Sequence, residues 1–153
     1  MSRIVTAAAM AVLAFSALPA SAVESTYKAT LSAFMETSWK KVGDFCGIAS
    51  WHPAIEKCEL SEGGKIRTLS LKGGGTIVER LVNRDDNAHS YTYEIVCGPL
   101  PVTDYVSTIK VTGDGSGSSI VWTGTYKPKG VSDADAQKTI DGVYKAGVDA
   151  LAR

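Results

Sequence analysis

Successive segments between Ala54 and Tyr126 alternate apolar with polar residues, and short turn sequences separate them. The segments are residues 54–60, 65–72, 76–84, 89–97, 103–112 and 118–127. Runs such as Gly73-Gly74-Gly75 between them are typical of turns. A period of two predicts strands with one buried face, and such short linkers favour antiparallel neighbours in a meander. This pattern restricts the chain to folds built on one large antiparallel sheet.

The period changes after the last of these strands. Apolar or small residues recur at helical spacing through Ala136, Ile140, Val143, Gly147 and Leu151. Ser132 is a suitable N-cap, and Asp135 follows at the spacing of a capping box. A long amphipathic helix is therefore expected to lie across one face of the sheet. Gly142 and Gly147 in this helix indicate either close packing on the sheet or room for a ligand.

The segment before the meander predicts a strand and two helices. Residues 27–33 alternate as a first strand, and residues 34–43 follow as a helix, although Leu31, Met35, Ser38 and Val42 also fit one longer helix. Residues 44–53 indicate a turn and a short second helix that Pro53 ends. Together these elements predict an α+β fold with about seven strands and a long C-terminal helix.

The N-terminus has the layout of a signal peptide. Arg3 precedes an apolar stretch from Ile4 to Leu18, and residues 20–22 supply an A-x-A cleavage pattern. We expect residues 1–22 to be removed and residues 23–153 to form one domain in the periplasm or outside the cell. The alternative is a retained anchor, which the short apolar run disfavours. No later run approaches the length of a membrane span.

Charge and cysteine content narrow the partners further. Of 16 basic and 16 acidic residues, only Arg3 lies in the signal peptide, so the mature chain carries 15 basic and 16 acidic residues. This balance argues against nucleic acid as a partner. An exported chain with Cys46, Cys58 and Cys97 is expected to form one disulfide. Cys46–Cys58 is favoured among the possible pairings because it would staple the first helices to the sheet, and three buried thiols are the alternative. The cysteine and histidine spacing predicts no metal site.

Strand parity predicts which side chains share the inner face. This face carries Arg67, Leu69 and Leu71; Ile77, Glu79 and Leu81; Tyr91, Tyr93 and Ile95; Tyr105, Ser107, Ile109 and Val111; and Ile120, Trp122 and Tyr126. Trp51 and His52 are expected near the mouth of a pocket.

Two charged residues fall on this otherwise apolar and aromatic face. Arg67 and Glu79 lie on adjacent strands, and because an unpaired buried charge is unfavourable, they are expected to contact each other. Convergent polar groups among apolar ones are typical of a ligand pocket. A purely structural ion pair, with tyrosine hydroxyls bonded to the backbone, is the alternative.

The sequence also resembles the START-like (SRPBCC) superfamily, and within it the polyketide cyclase/dehydrase and lipid-transport family. The resemblance rests on SWKKVGDFCGIASWHPAI at 38–55, GGKIRTLSLKGGGTIVERL at 63–81, YTYEIV at 91–96, DYVSTIKV at 104–111 and IVWTGTYKP at 120–128. It implies a helix-grip fold, in which a curved sheet wraps around the C-terminal helix and encloses a cavity for hydrophobic ligands.

Two branches of that superfamily suggest roles for particular residues. The lachrymatory factor synthase-like branch implies a catalytic set of Arg67, Glu79 and Tyr105, which agrees with the strand parity. The short loop at 73–75 departs from the plant pattern and leaves the substrate open. The chain also resembles the exported MxaD-like branch, whose role is linked to a protein partner.

Three functional hypotheses follow from these patterns. The first is an exported protein that binds a small hydrophobic molecule with a polar head, using Leu69, Leu71, Ile77, Leu81, Tyr91, Tyr93, Ile109, Trp122 and Trp51. The second is an isomerase, lyase or cyclase that needs no cofactor and uses Glu79, Arg67 and Tyr105. The third is a periplasmic accessory protein with a protein partner.

Overall fold

The computed structural model describes residues 22–113 and 115–153. Its sheet has seven antiparallel strands in the order β1-β7-β6-β5-β4-β3-β2. The strands are β1 (Val23–Leu31), β2 (Ile55–Ser61), β3 (Ile66–Leu71), β4 (Thr76–Asp85), β5 (Ser90–Cys97), β6 (Val102–Gly113) and β7 (Ser118–Pro128). The meander predicted from the alternating segments is confirmed, and β1 adds to its free edge beside β7.

A run of three glycines forms the tight turn between β3 and β4. Gly73, Gly74 and Gly75 between β3 and β4 have φ angles of 96°, 100° and 95°. This left-handed region is strained for residues with a side chain, so a glycine run is needed where the chain reverses so tightly.

The helices are α1 (Met35–Val42), α2 (Ile48–Trp51) and α3 (Asp133–Leu151). The Ser132 side chain accepts a hydrogen bond from the Asp135 backbone N–H, as the capping sequence predicts. Ala136, Ile140, Tyr144 and Val148 are buried on one side of α3, which contacts β1 and β7. The helix therefore closes one face of the curved sheet.

Two details of the predicted N-terminal elements differ from the structure. The first strand begins at Val23 and ends at Leu31, so Ala33 lies outside it. It is separate from α1, which settles the alternative of one longer helix. Pairing with β7 over residues 23–31 explains this, since each β1 residue opposes a β7 residue. The predicted signal peptide lies outside the described residues, apart from Ala22.

A disulfide joins Cys46 and Cys58, as favoured from the sequence, while Cys97 is a free, exposed thiol. The bond connects the segment before α2 to β2 and holds the short helices against the sheet. Within the residues described, no helix is long and apolar enough to cross a membrane.

Candidate functional site

A cavity of about 190 Å³ lies between the inner face of the sheet, α2 and α3. Its wall consists of Ile48, His52, Ala54, Ile55, Leu69, Leu71, Ile77, Glu79, Tyr93, Ile95, Leu100, Tyr105, Trp122 and Val143. Most of these side chains are apolar, and few polar groups reach the wall. This composition is typical of a site for a small, largely apolar molecule.

A larger groove of about 660 Å³ lies where β5 and β6 stop pairing beyond Glu94 and Val106. Its wall includes the surface ion pair of Arg80 with Glu94, with 2.6 Å between Nη1 and Oε1. Charged side chains line much of the groove, so the smaller and mainly apolar cavity is the better candidate site for a hydrophobic ligand. The two spaces share Ile95, Leu100 and Tyr105 as a common wall.

Arg67 and Glu79 form the buried ion pair expected from their positions on adjacent strands. They are direct partners in the register of β3 and β4, and Arg67 Nε lies 2.5 Å from Glu79 Oε2. Glu79 lines the cavity, whereas Arg67 does not. The carboxylate therefore stands between the guanidinium and the space that a ligand would occupy.

Aromatic rings and a carbonyl enclose the Arg67 guanidinium. Its Nη1 donates to the Phe45 carbonyl at 2.5 Å, and its Cζ lies 4.1 Å from the centre of the Phe45 ring and 4.8 Å from that of Tyr93. Cation–π contacts of this kind partly replace the lost hydration of the charge. Arg67 Nη2 and the Tyr91 hydroxyl are buried, and neither forms a well-aligned hydrogen bond with a described residue. Arg67 thus holds the Glu79 carboxylate in place from within the core and does not itself line the cavity.

The protonation of this pair reflects two opposing influences. Burial raises the pKa of Glu79 above its ordinary value, while the charge and hydrogen bond of Arg67 oppose that rise. Burial alone would lower the pKa of Arg67, but Glu79, Tyr91 and Tyr93 outweigh it and raise that pKa. Arg67 therefore stays charged, and its charge favours an ionised Glu79.

A network of hydroxyl groups lies behind the other side of the cavity. Tyr105 and Tyr144 hydroxyl oxygens are 2.8 Å apart, and those of Tyr93 and Tyr105 are 3.3 Å apart. Tyr144 is 3.0 Å from Ser107 Oγ, and Trp122 Nε1 donates to both Ser107 and Tyr93. Burial raises the pKa of Tyr144 to about 12 and places those of Tyr93 and Tyr105 well above the ordinary value. These hydroxyls are therefore neutral at physiological pH.

His52 lines the cavity but is bonded to the backbone through both ring nitrogens. The Ala54 N–H donates to Nδ1 at 3.2 Å, so the proton lies on Nε2, which donates to the Val143 carbonyl at 3.0 Å. Burial lowers the pKa of His52. The imidazole is thus a neutral structural link between α2 and α3.

The structure brings some predicted site residues to the cavity and leaves others away from it. Glu79, Tyr105, Leu69, Leu71, Ile77, Tyr93 and Trp122 line the cavity, whereas Arg67, Leu81, Tyr91, Ile109 and Trp51 do not. The second group lies on the correct face or helix but elsewhere in the core. Tyr91 and Arg67 are covered by the Phe45 segment, and Trp51 packs edge-on against Trp122.

Residues outside the predicted set also contribute. Tyr144 fixes the Tyr105 hydroxyl, and Leu100, from the loop between β5 and β6, closes one wall. Helical periodicity places Tyr144 beside the buried stripe but does not fix its angle to the sheet. Among the described residues, no group of three or more His, Cys, Asp or Glu side chains is placed to hold a metal ion.

Comparisons with known proteins agree with this architecture. The sequence matches the family described as "Polyketide cyclase / dehydrase and lipid transport" over residues 22–153. No curated protein matches the chain. Among solved structures, the protein XoxI from Bacillus cereus is 37% identical with a TM-score of 0.83, and the alignment covers 85% of this chain and 93% of that one.

More distant structures share the fold. An aromatase/cyclase named Zhui from a Streptomyces species is 17% identical with a TM-score of 0.71, covering 86% of this chain and 92% of that one. A START superfamily protein from Mycobacterium smegmatis is 15% identical with a TM-score of 0.71, covering 84% and 94%. The chain belongs to the polyketide cyclase/dehydrase and lipid transport family, and it has the helix-grip fold that it shares with the START superfamily protein.

Proposed function

We propose that this protein is exported and binds a small hydrophobic molecule with a polar head in the cavity between the sheet and α3. The observation that carries the proposal is the cavity itself, whose largely apolar wall also includes Glu79, Tyr93 and Tyr105. Apolar cavities of about 150 Å³ take up molecules the size of benzene. A volume of about 190 Å³ suits a ligand of one ring with a short substituent.

The disulfide supports a location in the periplasm or outside the cell. Bonds such as Cys46–Cys58 persist in oxidising compartments and are rare in the cytosol. Together with the signal-like sequence at residues 1–22, this favours export with Val23 as the new N-terminus.

The direct test is native mass spectrometry of protein expressed with its own N-terminus and purified from the periplasm. We expect the mass of a chain whose first residue is Val23, together with the added mass of a bound small molecule that is released on denaturation. A protein that is always empty, and that takes up neither an aromatic nor a fatty-acid probe, would contradict the proposal.

Two variants that introduce a tryptophan test whether the ligand binds in this cavity. Leu71 lines the cavity, so Leu71→Trp is expected to fill it and abolish binding. Leu60 is an exposed leucine on β2 that does not line the cavity, so Leu60→Trp serves as the matched control and is expected to bind normally.

A second candidate is a cofactor-independent isomerase, lyase or cyclase. Glu79 and Tyr105 line the same cavity, and burial raises the pKa of Glu79, which favours proton transfer at moderate pH. In this scheme Glu79 moves a proton, Arg67 positions Glu79, and Tyr105 orients the substrate. If Glu79→Gln left turnover of an identified substrate unchanged while binding persisted, this role would be lost.

A further inference from the structure

The hydroxyl network behind the cavity permits only one arrangement of its hydrogens. Ser107 Oγ lies 2.7 Å from the Thr123 carbonyl oxygen, which can only accept. The single Ser107 hydrogen must therefore point to Thr123, because otherwise two acceptors would face each other at that distance. Ser107 Oγ can then only accept from its other neighbours, Trp122 and Tyr144.

The direction of the Ser107 hydrogen also determines which tyrosine hydroxyl donates and which accepts in each of the next contacts. The Tyr144 hydroxyl must donate to Ser107, so toward Tyr105 it can only accept. The Tyr105 hydroxyl accordingly donates to Tyr144, and it accepts from Tyr93 across the 3.3 Å contact. Tyr93 in turn accepts from Trp122 Nε1. Each hydroxyl hydrogen is therefore engaged by the next member of the network, from Tyr93 through Tyr105, Tyr144 and Ser107 to the Thr123 carbonyl.

The remaining side-chain donors of the cavity wall are also occupied. His52 Nε2–H donates to the Val143 carbonyl, and Trp122 Nε1–H is shared between Tyr93 and Ser107. The wall thus presents acceptors without free side-chain donors among the described residues.

Glu79 supplies the strongest of these acceptors. Arg67 Nε bonds Oε2, and the described residues provide no donor to Oε1. The carboxylate belongs to a residue that lines the cavity, and it is 5% exposed. Because the described donors engage only Oε2, Oε1 keeps its full acceptor capacity for a ligand.

We propose that the cavity selects a small neutral ligand bearing a hydroxyl group, which donates its hydrogen to Glu79, and rejects carboxylates and acceptor-only analogues. This inference rests on the proposed binding function and specifies the ligand's polar head. A hydroxyl can satisfy the free acceptors, whereas an ether or carboxylate would face them with lone pairs and lose its hydration without compensation.

The overall charge of the site explains why the ligand should be neutral. Arg67 and Glu79 balance each other, so a neutral hydroxyl compound adds no net charge to the core. A carboxylate would bring a second negative charge next to Glu79, and an ammonium would compete with Arg67 for one carboxylate. Burying either extra charge is unfavourable.

The test uses compounds of one size that differ only in their polar head. Benzyl alcohol and anisole are isomers, but only the alcohol can donate a hydrogen bond; benzoate, benzylammonium and toluene complete the panel. By titration calorimetry at pH 8, we expect benzyl alcohol to bind roughly tenfold more tightly than anisole or toluene, as a hydrogen bond to a charged acceptor allows. Benzoate and benzylammonium are expected to bind more weakly still.

Two variants test the assigned hydrogens directly. In Glu79→Gln the amide oxygen must accept from Arg67, so the amide NH₂ group, a donor, faces the cavity. The preference for benzyl alcohol over anisole should then disappear. Tyr144→Phe removes the acceptor for the Tyr105 hydrogen and frees it for the ligand, so anisole binding should strengthen several-fold relative to the unaltered protein.

The outcomes separate this inference from the function on which it rests. If toluene, anisole and benzyl alcohol bind the unaltered protein equally, the cavity is a binding site but the hydroxyl selection is refuted. If benzoate binds best, the selection is likewise refuted. If none of the five compounds binds but a fatty-acid probe does, the binding function stands and this inference is refuted. If no probe of either kind binds, both fail.

Discussion

Arg67 is a fully buried cation whose charge is balanced by Glu79. In Glu79→Ala the guanidinium would remain buried without its partner, and we expect the free energy of unfolding to fall by about 3–5 kcal/mol in urea titrations. Glu94→Ala is the matched control, because it breaks the Arg80–Glu94 pair on exposed surface. That loss should be about 0–1 kcal/mol. Equal losses in the two variants would contradict the structural importance of the buried pair.

His52 makes stability depend on pH in a defined direction. Burial lowers its folded pKa below the ordinary 6.5, so the unfolded state binds the proton more readily. The stabilising contribution is therefore complete above pH 6.5 and is lost as pH falls below 6.5 toward the folded pKa.

Chemical unfolding between pH 7.5 and 5 measures this dependence. We expect His52→Gln to show a smaller loss of stability on acidification than the unaltered protein, since the carboxylates contribute equally to both. His89→Gln retains His52 and should keep the full His52-dependent loss. An unchanged pH slope in His52→Gln would disprove the assignment.

At the scale of elements, α3 contains two glycines with opposite roles. A Cβ added at Gly147 would lie 2.6 Å from His52 Cδ2 and 2.9 Å from Trp122 Cζ3, whereas one added at Gly142 meets nothing within 4 Å. The close-packing interpretation therefore holds for Gly147.

These surroundings predict opposite effects of the same substitution. Gly142→Ala should raise the free energy of unfolding by roughly 0.5–1 kcal/mol through helix propensity. Gly147→Ala should lower it by about 1–3 kcal/mol, because large rings would have to move. Thermal unfolding of the two variants measures the difference, and a stabilised Gly147→Ala would show that the rings yield easily.

Strand positions were predictable because alternation is a local property. Leu69, Ile77, Tyr93 and Trp122 all point inward as parity requires. The end of β1 was less predictable, because pairing with β7 determines it. Local sequence does not encode the position of that partner strand.

At the scale of the whole molecule, the Cys46–Cys58 bond links the short helices to the edge strand β2. Reduction should lower the free energy of unfolding by about 2–4 kcal/mol, since the open loop gains entropy in the unfolded chain. Urea titrations with and without dithiothreitol measure this loss. Cys97→Ser should behave like the unaltered protein, while a Cys46→Ser/Cys58→Ser variant should be insensitive to the reductant.

The residues on the inner face were predictable, but which of them reach the cavity was not. Parity placed Arg67 and Glu79 on one face, yet only Glu79 reaches the cavity, because the Phe45 segment folds over the guanidinium. The same limit applies to Tyr144, whose contact with Tyr105 depends on how α3 crosses the sheet. Periodicity assigns faces, while sheet curvature and helix placement decide which side chains meet.

The one-directional hydroxyl network has a consequence for proton conduction. A chain of hydroxyls can relay a proton only if its far end can release one to another group, and this chain ends at the Thr123 carbonyl, which holds no exchangeable hydrogen. The tyrosines therefore cannot carry a proton from the cavity to the solvent. Any proton that Glu79 removed from a ligand would return to that ligand or leave through the cavity with water. Proton exchange between a ligand at Glu79 and the solvent would accordingly have to pass through the cavity itself and not through the tyrosines.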